Sequence, residues 1–182
     1  CYNFKKVFPL IAERRSIMIP ETIKKELTIR NCSLEDHLAV ISVMKDWWGG
    51  RDLEYALPKL FFDHFNDSSF VVYHREKLVG FLIGFLSQSH SNQGYIHFIG
   101  IHPSFRKIGL GSHLYSLFFK HCRQCNRHVI KSRTSPVNQG SIYFHLKLGF
   151  RIEPGDAVIN GIHVHRNYNR DGDDKVLFVK TI

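Results

Sequence analysis

The segment Ile101-His102-Pro103-Ser104-Phe105-Arg106-Lys107-Ile108-Gly109-Leu110-Gly111-Ser112 joins three signals in a short span. A strand ends at Ile101-His102-Pro103, a basic loop turns through Arg106-Lys107, and two glycines open an amphipathic helix. The helix is predicted over 109–123, with Leu110, Leu114, Leu117 and Phe118 on its apolar side at i, i+4, i+7 and i+8. The first amides of a helix lack intrahelical partners and carry the positive end of its dipole. Gly109 and Gly111 remove side chains that would keep a ligand from that backbone. Arg106 and Lys107 add positive charge. This order predicts a pyrophosphate site on the amides of Ile108, Gly109, Leu110, Gly111 and Ser112.

Three phosphate loops compete for the segment. A P-loop requires Gly-x-x-x-x-Gly-Lys-Ser/Thr, which the chain lacks. A dinucleotide fingerprint requires a third glycine where Leu114 stands, early placement in the chain, and an acidic ribose ligand after the next strand. Arg106-x-x-Gly109-x-Gly111 fits neither. A second motif follows downstream: Asn138-Gln-Gly-Ser141-Ile-Tyr143-Phe-His145-Leu-Lys-Leu-Gly149-Phe150. It is a helix with Asn138 at its start and Gly149 at its C-cap, running straight into a strand.

With these two motifs, over residues 26–182, the chain resembles the GNAT superfamily (Gcn5-related N-acetyltransferases). The signature of that family is Gln/Arg-x-x-Gly-x-Gly/Ala after an aliphatic-x-Pro strand end, then Asn, a helix and Leu-Gly-Phe. The resemblance implies a central mixed sheet flanked by helices, and acetyl-CoA as cosubstrate without a metal. It implies a V-shaped opening between the strands 95–102 and 129–132. The pantetheine arm would lie there like an added strand on Ile99, Gly100 and Ile101, reached by Asn138 and Ser141 from the following helix. A backbone N–H within 99–101 would face the acetyl oxygen. The acceptor would be a primary amine of a small molecule or peptide, attacking directly, so no cysteine is cast as nucleophile. The family's usual glutamate is missing near Tyr95, and His97, two residues on and on the same face, takes the role of base. The usual acid tyrosine is replaced by His145, with Tyr143 nearby but about 200° round the helix. The same cradle would serve O-acyl or longer-acyl transfer, or a CoA-binding sensor without catalysis.

The bulk numbers agree with one α/β enzyme domain. At 43% hydrophobic and 23% charged, the 182 residues have a globular composition and need no staples. The net charge of +9 favours polyanionic partners. It is scattered rather than run together, which favours a phosphorylated cofactor over nucleic acid. Cys1, Cys32, Cys122 and Cys125 read as reduced thiols of a cytoplasmic protein; no secretory signal or membrane-spanning run is recognisable. Monomer and homodimer are both left open. The chain begins at Cys1, and Met18-Ile-Pro-Glu resembles a coding start, so residues 1–25 read as an extension, native arm or foreign remnant.

Strands are expected over 26–31, 69–74, 78–86, 95–102, 129–132, 150–153 and 175–180, with Glu76-Lys77 as one turn. Ser33-Leu-Glu-Asp36 is a weakened capping box opening a helix with Leu38, Val40, Ile41 and Met44 on its apolar side. A second helix is expected over 57–65 with Pro58 in its first turn, and another over 139–148. Residues 154–174 are read as polar loop, although His163-Val-His165 alternates like a strand. His121-Cys122 and Cys125 to His128 have metal-like spacing, but a single Cys-x-x-Cys at a helix end favours ordinary thiols. Trp47-Trp48-Gly49-Gly50 either walls the acceptor site or anchors two helices, with Asp52 and Glu54 able to attract an amine. The acceptor itself is not legible, because its pocket would be built from the loops 47–54, 88–94 and 155–172.

Overall fold

Alternating apolar residues place four consecutive strands of the N-terminal part in one antiparallel ladder. The computed structural model describes residues 19–182; Cys1, Met18 and most of the presumed extension lie outside them. The chain divides into two units, one ending at His128 and one running Val129–Ile182. The first contains α1 (Glu21–Lys24), β1 (Leu27–Asn31), α2 (Asp36–Trp47), α3 (Leu60–His64), β2 (Phe70–His74), β3 (Lys77–Leu86), β4 (Gln93–Ile101) and α4 (Leu110–Gln124). Its strands pair in sequence order, each antiparallel to the next. The second contains β5 (Val129–Thr134), α5 (Gln139–Lys147), β6 (Arg151–Ile152), β7 (Ala157–Ile159), β8 (Ile162–Val164) and β9 (Val176–Thr181). There β9 lies between β5 and β6, antiparallel to both, and β7–β8 is a separate hairpin. No helix among the described residues is long and apolar enough to cross a membrane.

The near-continuous apolar run of β3 reflects burial on both faces. On one face, Val40, Met44 and Trp47 of α2 pack with Leu57, Phe62, Val71, Phe81 and Ile83. On the other lies α4. A Cβ built on Gly84 would come within 2.5 Å of Phe118, and one on Gly94 within 2.6 Å of the Cys122 sulfur. The two glycines let α4 approach the strands this closely.

Several expectations shift. Leu38 is 68% exposed, and the buried side of α2 is formed by Asp36, His37, Val40, Met44 and Trp47. The helix expected over 57–65 shrinks to α3 behind a 3-10 turn, Glu54–Ala56, because Pro58 restricts the residue before it. The β2–β3 turn is Arg75-Glu76, with Arg75 at φ +56°, since His74 pairs Lys77. The β7–β8 hairpin was read as loop. Its Asn160-Gly161 turn has φ of +49° and +77°, the positive pair that favours Asn-Gly in two-residue hairpins.

Asp36 closes the start of α2. Its carboxylate accepts two bonds from Arg30, at 2.7 and 2.8 Å, the Ser33 amide at 2.8 Å and the Tyr73 hydroxyl at 2.9 Å. The weakened capping box is therefore half formed, with the acid reaching back to the Ser33 amide. Burial alone would raise the Asp36 pKa, but these donors outweigh it and hold the group at about 2. A depressed acid stabilises the fold above its unfolded pKa, and the contribution is lost as pH falls through the folded value. Asp36→Asn is therefore expected to cost about 2 kcal/mol at pH 7. Urea titrations should show that difference fade as the pH falls from about 4 to 2; a constant difference would contradict the assignment.

Candidate functional site

Beyond β4 the chain makes a 3-10 turn, Pro103–Phe105, whose first amide is capped by His102 Nδ1 accepting from Ser104 N–H at 3.2 Å. Lys107 then takes φ +63° and Gly109 φ +91°, so the backbone turns sharply twice before α4. Only glycine adopts the second conformation without strain. No side chain caps α4, and its first rung is His113 N–H to the Gly109 carbonyl, 3.0 Å. The amides of Leu110, Gly111 and Ser112 therefore precede the helix ladder. The loop and helix start expected from sequence are formed, with Ile108 and Gly109 half-buried beside them and Lys107 exposed.

Arg106 does something other than line the cradle. Its Nε–H donates to the Ile101 carbonyl at 3.0 Å, and its Nη2 donates to the Trp47 carbonyl at the end of α2. The guanidinium braces the loop between a strand end and a helix end, where it also offsets the negative end of the α2 dipole. Positive charge toward an anion then comes from Lys107 and the helix itself. Along α4, Leu110, Leu114, Tyr115, Phe118, Phe119 and Cys122 are buried, while Leu117 is only half-buried. Burial pushes the Cys122 thiol up to about 12, and Cys125 lies 3.9 Å from His121 Nε2. Cys122 and Cys125 thus face different surroundings, as ordinary thiols do.

In β4 the register shifts. Phe98 pairs Ile83 while Ile96 pairs Gly84, leaving His97 as an extra residue. Such a bulge puts neighbours on one face and interrupts the ladder. Ile99, Gly100 and Ile101 continue opposite Leu82, Phe81 and Gly80. A Cβ at Gly100 would lie 2.4 Å from the Phe81 ring, so core packing by itself accounts for that glycine. His97 is half-buried, stacked on Phe61 at 4.5 Å and 9°, and edge-on to Phe98 at 4.5 Å. Its Nε2–H donates to the Ala56 carbonyl at 2.8 Å. In the neutral ring this places the lone pair on Nδ1. Phe61 and Ala56 were not among the expected site residues; a backbone carbonyl leaves no trace in sequence.

Both tryptophans anchor α2. Trp47 is buried, stacked on Phe81 at 5.9 Å and edge-on to His102; Trp48 stacks on Phe98 at 5.1 Å. Asp52 and Glu54 are exposed, the Asp52 carboxylate accepting from the Glu54 amide at 3.4 Å. Tyr95 stacks on Phe85 at 5.3 Å.

The remaining expected residues lie in the second unit. Asn138 caps α5, its Oδ1 accepting from Ser141 N–H at 3.2 Å. His145 is 2% exposed, stacked flat on Phe178 at 4.2 Å and edge-on to Phe150 at 5.2 Å. Its Nδ1–H donates to the Ser141 carbonyl at 2.8 Å, with the Ser141 hydroxyl at 3.3 Å. Burial pulls its pKa down to about 4, against a small opposing effect of the Ser141 bond. Burial of this kind disfavours the imidazolium that the expected acid role at this position would use. Tyr143, on another side of the helix, is half-buried. His163 is exposed on β8, and His165 forms a bridge with Lys175.

The model of the Acetyltransferase (GNAT) family matches residues 37–150. The L-2,4-diaminobutyric acid acetyltransferase of Virgibacillus pantothenticus is 26% identical over 120 residues, 65% of this chain and 75% of that protein. The crystal structure of Ard1 from Thermoplasma volcanium has a TM-score of 0.69 at 22% identity, covering 86% of this chain and 98% of its own. Diaminobutyrate acetyltransferase EctA from Paenibacillus lautus, in complex with L-2,4-diaminobutyric acid and coenzyme A, has a TM-score of 0.64 at 18% identity. That match covers 86% of this chain and 95% of the other. The expected α/β fold, a mixed sheet flanked by helices, is thus the fold of these structures.

The His145 assignment has a thermodynamic consequence. A histidine whose folded pKa lies below its unfolded 6.5 binds fewer protons folded, so its contribution is lost as pH falls from 6.5 toward 4. His145→Phe keeps a ring against Phe178 and removes the titration. Relative to wild type, the variant is expected to gain about 2.5 kcal/mol between pH 7.5 and 4.5. Denaturant melts at the two pH values measure this; parallel pH dependence of the two proteins would exclude a buried neutral ring.

Proposed function

The chain belongs to the GNAT acetyltransferase family and is an acyltransferase, and from that premise we propose that it acetylates a primary amine of a small molecule or peptide. Acetyl-CoA is the proposed donor, and direct attack within a ternary complex is the proposed route, in the cytoplasm. The observation that carries the reading is the start of α4: an uncapped helix behind two positive-φ residues, with three amides ahead of its first rung. Oriented amides at a helix N-terminus suit a pyrophosphate. The groups proposed to hold it are the amides from Ile108 to Ser112 with the Lys107 ammonium, while Arg106 keeps the loop in place.

Acetyl-CoA supplies a thioester carbonyl as electrophile and a thiol as leaving group. The other roles fall to this chain. Backbone of Ile99, Gly100 and Ile101 is proposed to pair with the amides of the pantetheine arm and to face the acetyl carbonyl, and Asn138 and Ser141 are proposed as further cofactor contacts. An amine attacks only after losing its proton, and His97 is proposed to accept it. The neutral His145 ring, with its proton held by Ser141, is poorly suited to protonate a thiolate. We therefore assign that step to the Tyr143 hydroxyl and give His145 the role of seating α5 on Phe178. Diaminobutyrate, substrate of one relative, is a first acceptor to try. The rings of Trp48, Phe61 and Phe98 beside His97 favour an amine that also carries an apolar group.

Two measurements test the reading. Millimolar acetyl-CoA is expected to raise the melting temperature by mass action. Gly111→Asp, which sets a carboxylate against the amides, is expected to abolish the rise. No stabilisation of the wild type would remove the cradle from consideration. For direct attack, replacing Cys32 and Cys122 with Ala and Cys125 with Ser is expected to leave turnover within about tenfold, a barrier change below about 1.4 kcal/mol. An acetyl-cysteine that forms and discharges at the turnover rate would overturn the ternary-complex route.

A further inference from the structure

Two consecutive carbonyls leave the end of the 3-10 turn Glu54–Ala56, and each is taken by an imidazole from a different element. His97 of β4 donates Nε2–H to the Ala56 carbonyl at 2.8 Å. His37, in the first turn of α2, donates Nε2–H to the Leu57 carbonyl at 3.2 Å. We propose that His37 is a positioning residue for His97: it fixes the Leu57 carbonyl and thereby the peptide that aims the Ala56 carbonyl at the His97 ring. The inference rests on the reading of His97 as proton acceptor.

The two peptide planes meet at the Leu57 Cα, so the φ and ψ of Leu57 set how the two carbonyls are aimed relative to each other. Four constraints hold Leu57. Its side chain is fully buried, its N–H donates to the Glu54 carbonyl at 3.0 Å, Pro58 limits its backbone, and His37 takes its carbonyl. His37 itself is an expensive choice for that place. It is 8% exposed, edge-on to Phe62 at 5.2 Å, and its Nδ1 is buried with no hydrogen-bond partner. An apolar side chain would fill the same position without burying an unsatisfied nitrogen. What an apolar side chain cannot supply is the donor to Leu57.

The arrangement suits a ring that must gain and lose a proton without moving. The Nε2–H of His97 donates to Ala56 in both the neutral and the charged ring, and the bond becomes charge-assisted when Nδ1 is protonated. The His97 ring plane is set separately, by the face of Phe61 and the edge of Phe98. Releasing the Leu57 carbonyl leaves the ring between its aromatic neighbours but loosens the end of the turn that aims the Ala56 carbonyl, with the Leu57 N–H bond to Glu54 left to hold it. The ring then loses its fixed tautomer. Misplacement of a reacting group by about 1 Å can cost 10²-fold; one removed bond behind the reacting residue is expected to cost about tenfold.

The test uses the full chain and two kinds of readout. Nitrogen-15 spectra of the histidine rings at pH 8, with His97 assigned by its loss in His97→Asn, report which ring nitrogen carries the proton. Turnover is measured with acetyl-CoA and either phenethylamine or L-2,4-diaminobutyrate. In the wild type His97 is expected as the Nε2–H tautomer. In His37→Phe the tautomers are expected to mix, with kcat down about tenfold and KM for acetyl-CoA within about twofold; His37→Leu serves if the phenylalanine variant does not fold. His37→Gln, which restores an N–H donor, is expected to return both readouts toward wild type. A wild-type His97 spectrum in the His37→Phe or His37→Leu protein, or an unchanged kcat, overturns the proposal. Unchanged turnover in His97→Asn instead removes the proton-acceptor reading, while the ring spectra still decide whether His37 sets the His97 tautomer.

Discussion

Phe118 lies in the space that side chains at Gly84 and Gly94 would need. That close contact seats α4 on the β3–β4 hairpin, and most of the proposed chemistry follows from where α4 sits. Its axis is set by Leu110, Leu114, Phe118 and Cys122, all buried. Its start is set by Gly109 in a left-handed conformation. Helix amides attract an anion only within the first turn, so a helix tilted away from the strands would carry its positive end elsewhere. Helix packing and anion affinity are therefore one constraint, imposed by two small residues on neighbouring strands.

The two histidines weighed for proton transfer show how surroundings divide similar side chains. His145 is enclosed by Phe178, Phe150 and the Ser141 carbonyl, and burial holds it neutral. It contributes an aromatic surface and a hydrogen bond to the Ser141 carbonyl. His97 occupies a bulge, half-buried, with one nitrogen bonded to a carbonyl. Bulges re-aim side chains, and here the extra residue places His97 and Phe98 side by side on the face toward α2 and α3. In the proposed role the His97 ring keeps its Nε2–H bond to Ala56 in both charge states, whereas a ring sealed between phenylalanines loses stability by becoming charged.

The sequence made some of this legible and hid the rest for identifiable reasons. The loop from Ile101 to Ser112 could be read because glycine positions and a helix start are local signals. The same holds for Asn138 as a cap and for the α4 stripe. The burial of His145 was hidden because its spacing in the motif says nothing of Phe178, far along the chain, closing over it. The bulge at His97 depends on the register of β3 against β4, a non-local fact. The β7–β8 hairpin was readable from Asn160-Gly161, but the polar residues around it diluted the alternation. Arg106 fitted its motif position, yet its partners are backbone carbonyls, one of them at the end of α2.

The Trp47 carbonyl that receives Arg106 belongs to a residue stacked on Phe81, and Phe81 fills the space that keeps residue 100 a glycine. The guanidinium thus joins the loop ahead of α4 to the core layer on the other face of the sheet. An arginine used in this way stabilises the loop whether or not an anion is present. Lys107, in the same loop but exposed and in a left-handed conformation, is placed to respond to an anion. In the proposed reading two adjacent basic residues divide the work: one fixes the shape of the loop, and the other supplies charge that can be satisfied from outside the chain. A positive charge already satisfied by backbone attracts a pyrophosphate less than one left to solvent. Neutralising Lys107 would thus weaken anion affinity at constant shape, whereas removing Arg106 would loosen the loop before any anion arrives.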